Sequence, residues 1–258
     1  DQWLADLTKM DGPAECKLPV PLSLLRLIFT LLDPILETSL DARVKKTALL
    51  TGFWWLLRSS EYLAGDSGQF NPERALTWKD VTARVSKKQG WVKATLQEAL
   101  AELKKGRDVR ISLTLFSSKN KQETCTRTLS AVQGSQDCPV ANLLELHSAV
   151  AQWHETEPTD EAPVFSLEKG TVFSRSQISD ILKQASQTAG IPAGRVASHS
   201  LRRGGASAFV ASGASDAAIQ RFGRWTSDAY KAYVFPHAAE LVAAQKKAMV
   251  TVPCFERN

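Results

Sequence analysis

His199, Arg202 and Arg203 sit together in the stretch HSLRRGGASAF. A histidine and an arginine three or four residues apart share one face of a helix. Ser198 is a suitable N-cap for such a helix and Gly213 a suitable end. The free N–H groups of a helix start add positive potential, so the three side chains together make a site for a phosphate oxygen. Spacing alone does not choose between the two arginines. Gly204 and Gly205 would let a neighbouring backbone come close. Further basic clusters, Arg84/Lys87/Lys88 and Lys104/Lys105/Arg107, offer more phosphate contacts.

These residues need elements to hold them, and the hydrophobic pattern supplies a mainly helical chain with one β region. LSLLRLIFTLLD carries apolar residues at helical spacing and stops before Pro34. Asp41 is the expected N-cap of a long helix, ARVKKTALLTGFWWLLRSSEYLA, running to Gly65. ALTWKDVTARVSKKQGW reads as strand and turn, and ATLQEALAELKK as a short amphipathic helix. VRISLTLF alternates Val109, Ile111, Leu113 and Leu115 on one face, and ETCTRTLS is its partner across the polar turn SSKNKQ. The pattern is helical again from Cys138, broken at ETEPTDEAP, AGIPAG and Gly213.

Composition narrows the field. The chain has 258 residues, 43% of them hydrophobic, and a formal net charge of +5, so it can bury a substantial core and favours an anionic partner. Cys16, Cys125, Cys138 and Cys254 are scattered, with neither zinc-ligand nor disulfide spacing. The first residues, DQWLADLTKM, contain neither an initiator methionine nor a signal-like segment, and no apolar run is long enough to span a bilayer. The expectation is a soluble piece of something longer.

GFWWLLRSSEYL, the SK of SSKNKQ, HSLRRGGA and FGRWTSDAYKAYV follow one another in that order. Over residues 18–235 this arrangement resembles the tyrosine recombinases, the family of phage integrases and site-specific resolvases. Its wording is most similar to the crypton and DIRS-type branch of eukaryotic mobile elements. The resemblance implies a mainly α fold with a small antiparallel β-sheet, the catalytic-domain fold of that family, over residues 21–250. Residues 1–20 would be a linker or the remnant of a DNA-clamp domain, and residues 251–258 a tail.

By the same resemblance Arg58 is the first catalytic arginine with Glu61 as its neighbour, Lys119 the hairpin lysine with Lys121 as competitor, and His199 and Arg202 the HxxR pair. Alone, Arg58 would read as a snorkelling residue at the end of an apolar helix. Tyr230 and Tyr233 share a helix face, and the family spacing selects Tyr233 as nucleophile. The family places a histidine or tryptophan directly after a glycine, where this chain has Arg224 after Gly223. Trp225, one residue later, is favoured, since an indole N–H donates to a phosphate oxygen without titrating. Arg203, Lys121, Arg224, Lys87 and Lys88 are the expected DNA contacts.

The implied chemistry is attack of the tyrosine on a phosphodiester. Two fixed guanidiniums and His199 would neutralise the charge that grows on the non-bridging oxygens. A 3′-phosphotyrosyl link and a free 5′-hydroxyl result, and reversal by another 5′-hydroxyl exchanges strands. The implied partners are double-stranded DNA and further copies of the chain, as a dimer or tetramer on DNA. No cofactor, no metal and no membrane are expected, and a nuclear location follows if the source is a eukaryotic mobile element. A catalytically silent DNA-binding descendant and a type IB topoisomerase are the neighbouring readings.

Overall fold

The computed structural model describes residues 17–115, 124–225 and 231. Helix α1 (Leu22–Leu32) turns Leu24, Leu25, Ile28 and Phe29 inward and passes into a 3-10 turn over Asp33–Ile35, where Pro34 cannot continue the α-helix. Helix α2 (Leu40–Trp54) is the central element, with most of its residues buried. Its one deeply buried charge, the Lys46 ammonium, is held by Asp33 Oδ1 at 2.7 Å. Ser39, not Asp41, caps α2 by accepting from the Ala42 N–H, while the Asp41 carboxylate accepts from the Glu168 N–H across the fold.

Helix α2 also ends earlier than expected, at Trp54 instead of Gly65. Neither glycine nor proline marks this stop. Leu56 takes a left-handed backbone, φ 51°, which costs a non-glycine residue energy. Tertiary bonds hold it there: the Trp55 indole donates to the Arg127 carbonyl at 3.3 Å, and the Arg127 guanidinium donates to the Trp55 and Leu56 carbonyls. The residues after the break, Ser59–Glu61, form a 3-10 turn of their own.

Four strands form one antiparallel sheet: β1 (Val81–Lys87), β2 (Gly90–Ala94), β3 (Val109–Leu115) and β4 (Cys125–Ser130), in the order β2-β1-β3-β4. The expected hairpin of β3 and β4 is therefore half of a larger sheet. β3 alternates buried and half-buried residues along its whole length, as a sheet with one wet face requires. Helix α3 (Leu96–Lys104) lies between β2 and β3 in sequence, and its N-cap Thr95 forms a capping box with Glu98.

Helices α4 (Pro139–Trp153), α5 (Arg175–Thr188), α6 (His199–Ala211) and α7 (Asp216–Gly223) complete the described chain. One core joins helices and sheet, through Phe29, Leu49, Phe53, Ile111, Leu113, Leu144 and Phe173 among others. Leu18 and Val20, inside the segment expected to be a linker, are buried in that core. The Leu18 N–H bonds the Arg195 carbonyl at 2.7 Å and the Val20 N–H bonds the Ser200 carbonyl at 3.0 Å. Among the described residues no helix is long and apolar enough to cross a membrane.

Candidate active site

Four arginines from distant parts of the sequence gather around one carboxylate. Arg58 stands at the head of the 3-10 turn that follows α2. Its backbone N–H and its Nη1 reach the two carboxylate oxygens of Glu61, at 2.9 and 3.0 Å. Arg224, at the C-cap of α7 with φ 56°, pairs with the same carboxylate. The Glu61 side chain is 2% exposed. Burial alone would raise its pKa, but Arg224, the Arg58 N–H, Arg202 and Arg127 outweigh burial and hold it below the usual carboxylate value. Glu61 is thus the fixed anion on which the cations are hung.

Arg202, from the first turn of α6, is wholly buried. Its guanidinium donates to the Leu56 carbonyl at 3.1 Å and to the Gly223 carbonyl, and lies 4.2 Å from the centre of the Trp225 ring. Burial, then the like charge of Arg58, pushes its pKa down to about 9, so it stays cationic at pH 7. The Ser59 and Ser198 hydroxyls bond at 3.0 Å and pin the Arg58 turn to the start of α6.

Close packing makes this convergence possible. A side chain at Gly204 would strike the Val20 carbonyl, and one at Gly205 the Phe53 carbonyl. The backbone that approaches this glycine pair is the protein's own. Gly223 is likewise covered by the Trp225 ring. Trp225 is half-buried, backed by a small cluster that includes Leu56, Ala206 and Ile219. The indole is therefore a platform for Arg202, and Arg224 is engaged with Glu61. Arg203 is buried and has partners within the protein.

His199 opens α6 and is exposed. Desolvation, then the like charges of Arg202, Arg203 and Arg58, lower its pKa to about 4. The ring keeps an open edge to water, so the charges are the durable part of that shift. In the DNA-free protein desolvation and these neighbouring charges leave His199 a neutral hydrogen-bonding group at pH 7.

One member of the cluster was missed in the sequence. Arg127 on β4 is 3% exposed, and besides its bonds to the Trp55 and Leu56 carbonyls it lies 5.5 Å from the centre of the Phe222 ring. Burial and the charge of Arg224 lower its pKa to about 10. Leu56 thus offers one carbonyl to two guanidiniums, those of Arg127 and Arg202. The available signal was phase: Cys125, Arg127 and Leu129 occupy the inward positions of an alternating strand, where a charge must find partners.

Lys119, Lys121, Tyr230 and Tyr233 lie outside the described residues. Lys87 and Lys88 are exposed at the β1–β2 turn. The register of β1 with β3, Val81 opposite Leu113 and Val85 opposite Val109, places that turn at the end of the sheet away from Leu115 and Cys125.

Arg58, Arg202 and His199 thus stand together at the start of α6, with Arg58 and His199 open to solvent and Arg202 fixed beneath them. Such fixed cations suit a phosphoryl group, whose charge they meet without reorganising.

Comparison with solved structures gives the same fold. The crystal structure of XerA recombinase aligns with TM-score 0.50 and 14% identity, covering 95% of this chain and 68% of that one. XerH site-specific recombinase bound to difH substrate, in a pre-cleavage complex, aligns with TM-score 0.54 and 14% identity over 89% of this chain. Its post-cleavage complex with a palindromic difH substrate gives 0.55 and 13% over 91%. In both cases the chain spans about half of the XerH chain, 54%. No curated protein matches by sequence. The profile of the phage integrase family matches residues 73–237, a stretch that contains β4, the HxxR helix and the GRW turn. With most of the chain inside that match and a tyrosine recombinase catalytic-domain fold around it, the chain belongs to the phage integrase family.

Proposed function

We propose that this protein is a site-specific DNA recombinase of a mobile element, which cuts and rejoins strands through a 3′-phosphotyrosyl intermediate. The gathering of Arg58 and Arg202 beside His199, anchored on buried Glu61, carries this reading. Tyr233 Oη bonds to phosphorus as the bond from phosphorus to the 5′ oxygen breaks. The phenol proton leaves, and a neutral His199 is suited to take it. Arg58 and Arg202 meet the charge on the non-bridging oxygens, and Lys119 gives the departing 5′ oxygen its proton. Attack by another 5′-hydroxyl reverses the step and restores a phosphodiester, so no energy source is consumed. Assembly of several copies on DNA and a nuclear location belong to the same reading.

Incubation with nicked duplexes of candidate element ends, which trap the covalent product, tests it. Wild type is expected to give a protein–DNA adduct stable in denaturant, with or without chelator. Tyr233→Phe should give none, and Tyr230→Phe should behave as wild type. Adduct formation by Tyr233→Phe would move the nucleophile elsewhere.

A further inference from the structure

We propose that the solvent face of the sheet is a second DNA-binding surface, which holds the phosphate backbone of duplex lying beside the segment in the arginine pocket. The proposal rests on the reading that this protein handles duplex DNA. The strand register sets Lys93 opposite Arg84 and Arg84 opposite Arg110, a row of three cations across β2, β1 and β3. Neighbouring strands are about 4.8 Å apart, and like charges directly opposite one another destabilise a sheet. The fold nevertheless leaves the row uncompensated. Among the described residues none of the three pairs with a carboxylate, whereas Arg26, Lys79, Arg107 and Arg175 each do.

The row is also built for contact. The Arg110 guanidinium lies 3.8 Å from the centre of the Trp91 ring, and its Nε donates to Ser130 Oγ at 3.2 Å. Its two terminal nitrogens make no hydrogen bond among the described residues. Next to the row, Ser112 and Thr128 share a hydroxyl bond of 2.7 Å, and every other outward position of the four strands is serine, threonine, or Trp91. No carboxylate stands on an outward strand position. Arginine, lysine and hydroxyl side chains are the groups that position a protein on the DNA backbone without reading sequence. Three cations across two strand gaps span roughly 10 Å, within reach of two to three neighbouring phosphates through their long side chains. The face is opposite the one that carries Arg127, so the surface and the pocket share no residue.

The triple variant Arg84→Thr, Lys93→Thr, Arg110→Thr keeps strand-forming residues and removes the repulsion, so its Tm should equal or exceed that of wild type. Binding to a long mixed-sequence duplex is measured against salt. The slope of log K on log salt should become shallower by about 0.9 per lost phosphate contact, hence by about 2 to 3. Adduct formation at saturating protein should stay at the wild-type level. An unchanged slope overturns the proposal, as does a loss confined to single-stranded RNA, or loss of the adduct in a folded variant. Failure of the wild-type chain to form any adduct would instead overturn the recombinase reading, and the salt slope would still measure the surface.

Discussion

At the scale of single residues, the proposed chemistry divides the cations into two kinds. Arg58 and Arg202 act on the non-bridging oxygens, whereas a lysine serves the leaving group. A 5′ alkoxide is a poor leaving group that must gain a proton as its bond breaks, and loss of a general acid slows a reaction by a factor on the order of 10²–10⁴. Lys119→Ala should therefore cleave ordinary DNA slowly by about that factor, yet cleave a substrate with sulfur at the bridging 5′ position at close to the wild-type rate, since a thiolate leaves unprotonated. Arg58→Ala and Arg202→Ala should not be rescued by sulfur. Rescue of Lys121→Ala in place of Lys119→Ala would assign the acid to Lys121.

Among the elements, the junction of α2 with β4 decides the site. The Arg127 guanidinium and the Trp55 indole bond each element to the other's backbone, and the left-handed Leu56 between them sets where Arg58 leaves the helix. Removing Arg127 takes a donor from two buried carbonyls, and each group left unsatisfied costs about 1–3 kcal/mol. Arg202 still reaches the Leu56 carbonyl, so the Trp55 carbonyl should bear most of the cost. Arg127→Ala is expected to lower the denaturant midpoint accordingly. It should reduce adduct formation even at concentrations where the variant is folded, because the Arg58 turn is no longer held. Arg127→Lys keeps a charge but not the rigid planar group that holds Nη1 against both carbonyls, and should recover only part of either loss. A variant that unfolds early yet reacts normally would show Arg127 to matter for stability alone.

For the whole molecule, His199 links the pocket to stability. Its pKa is about 4 in the folded protein against an ordinary imidazole value of 6.5. As pH falls, the unfolded chain takes up the proton first, so folding stability is retained above about 6.5 and is lost progressively between 6.5 and 4. His199→Gln should remove that part of the pH dependence, as read from denaturation curves across the interval. If the curves of wild type and His199→Gln run parallel from 6.5 to 4, the imidazole is not depressed. A bound phosphodiester adds negative charge beside the ring and should raise its pKa, which histidine NMR shifts with and without DNA would follow.

Motif order, helical and strand periodicity and the turn residues were enough, in the sequence alone, to specify a mainly helical catalytic domain with a β-hairpin and to single out Arg58, His199, Arg202 and Glu61. Such features act over a few residues, so they can be read locally. What only the tertiary structure decided are the effects of distant partners. The end of α2 at Trp54 has no local stop signal, because the bonds that impose it come from β4 and α6. Arg127 has no motif, because its role comes from facing inward beside that break. The cation row of the sheet exists only once the register is set. In each case the deciding energy, a carbonyl satisfied or a charge opposed, belongs to a pair that the sequence separates and the fold unites.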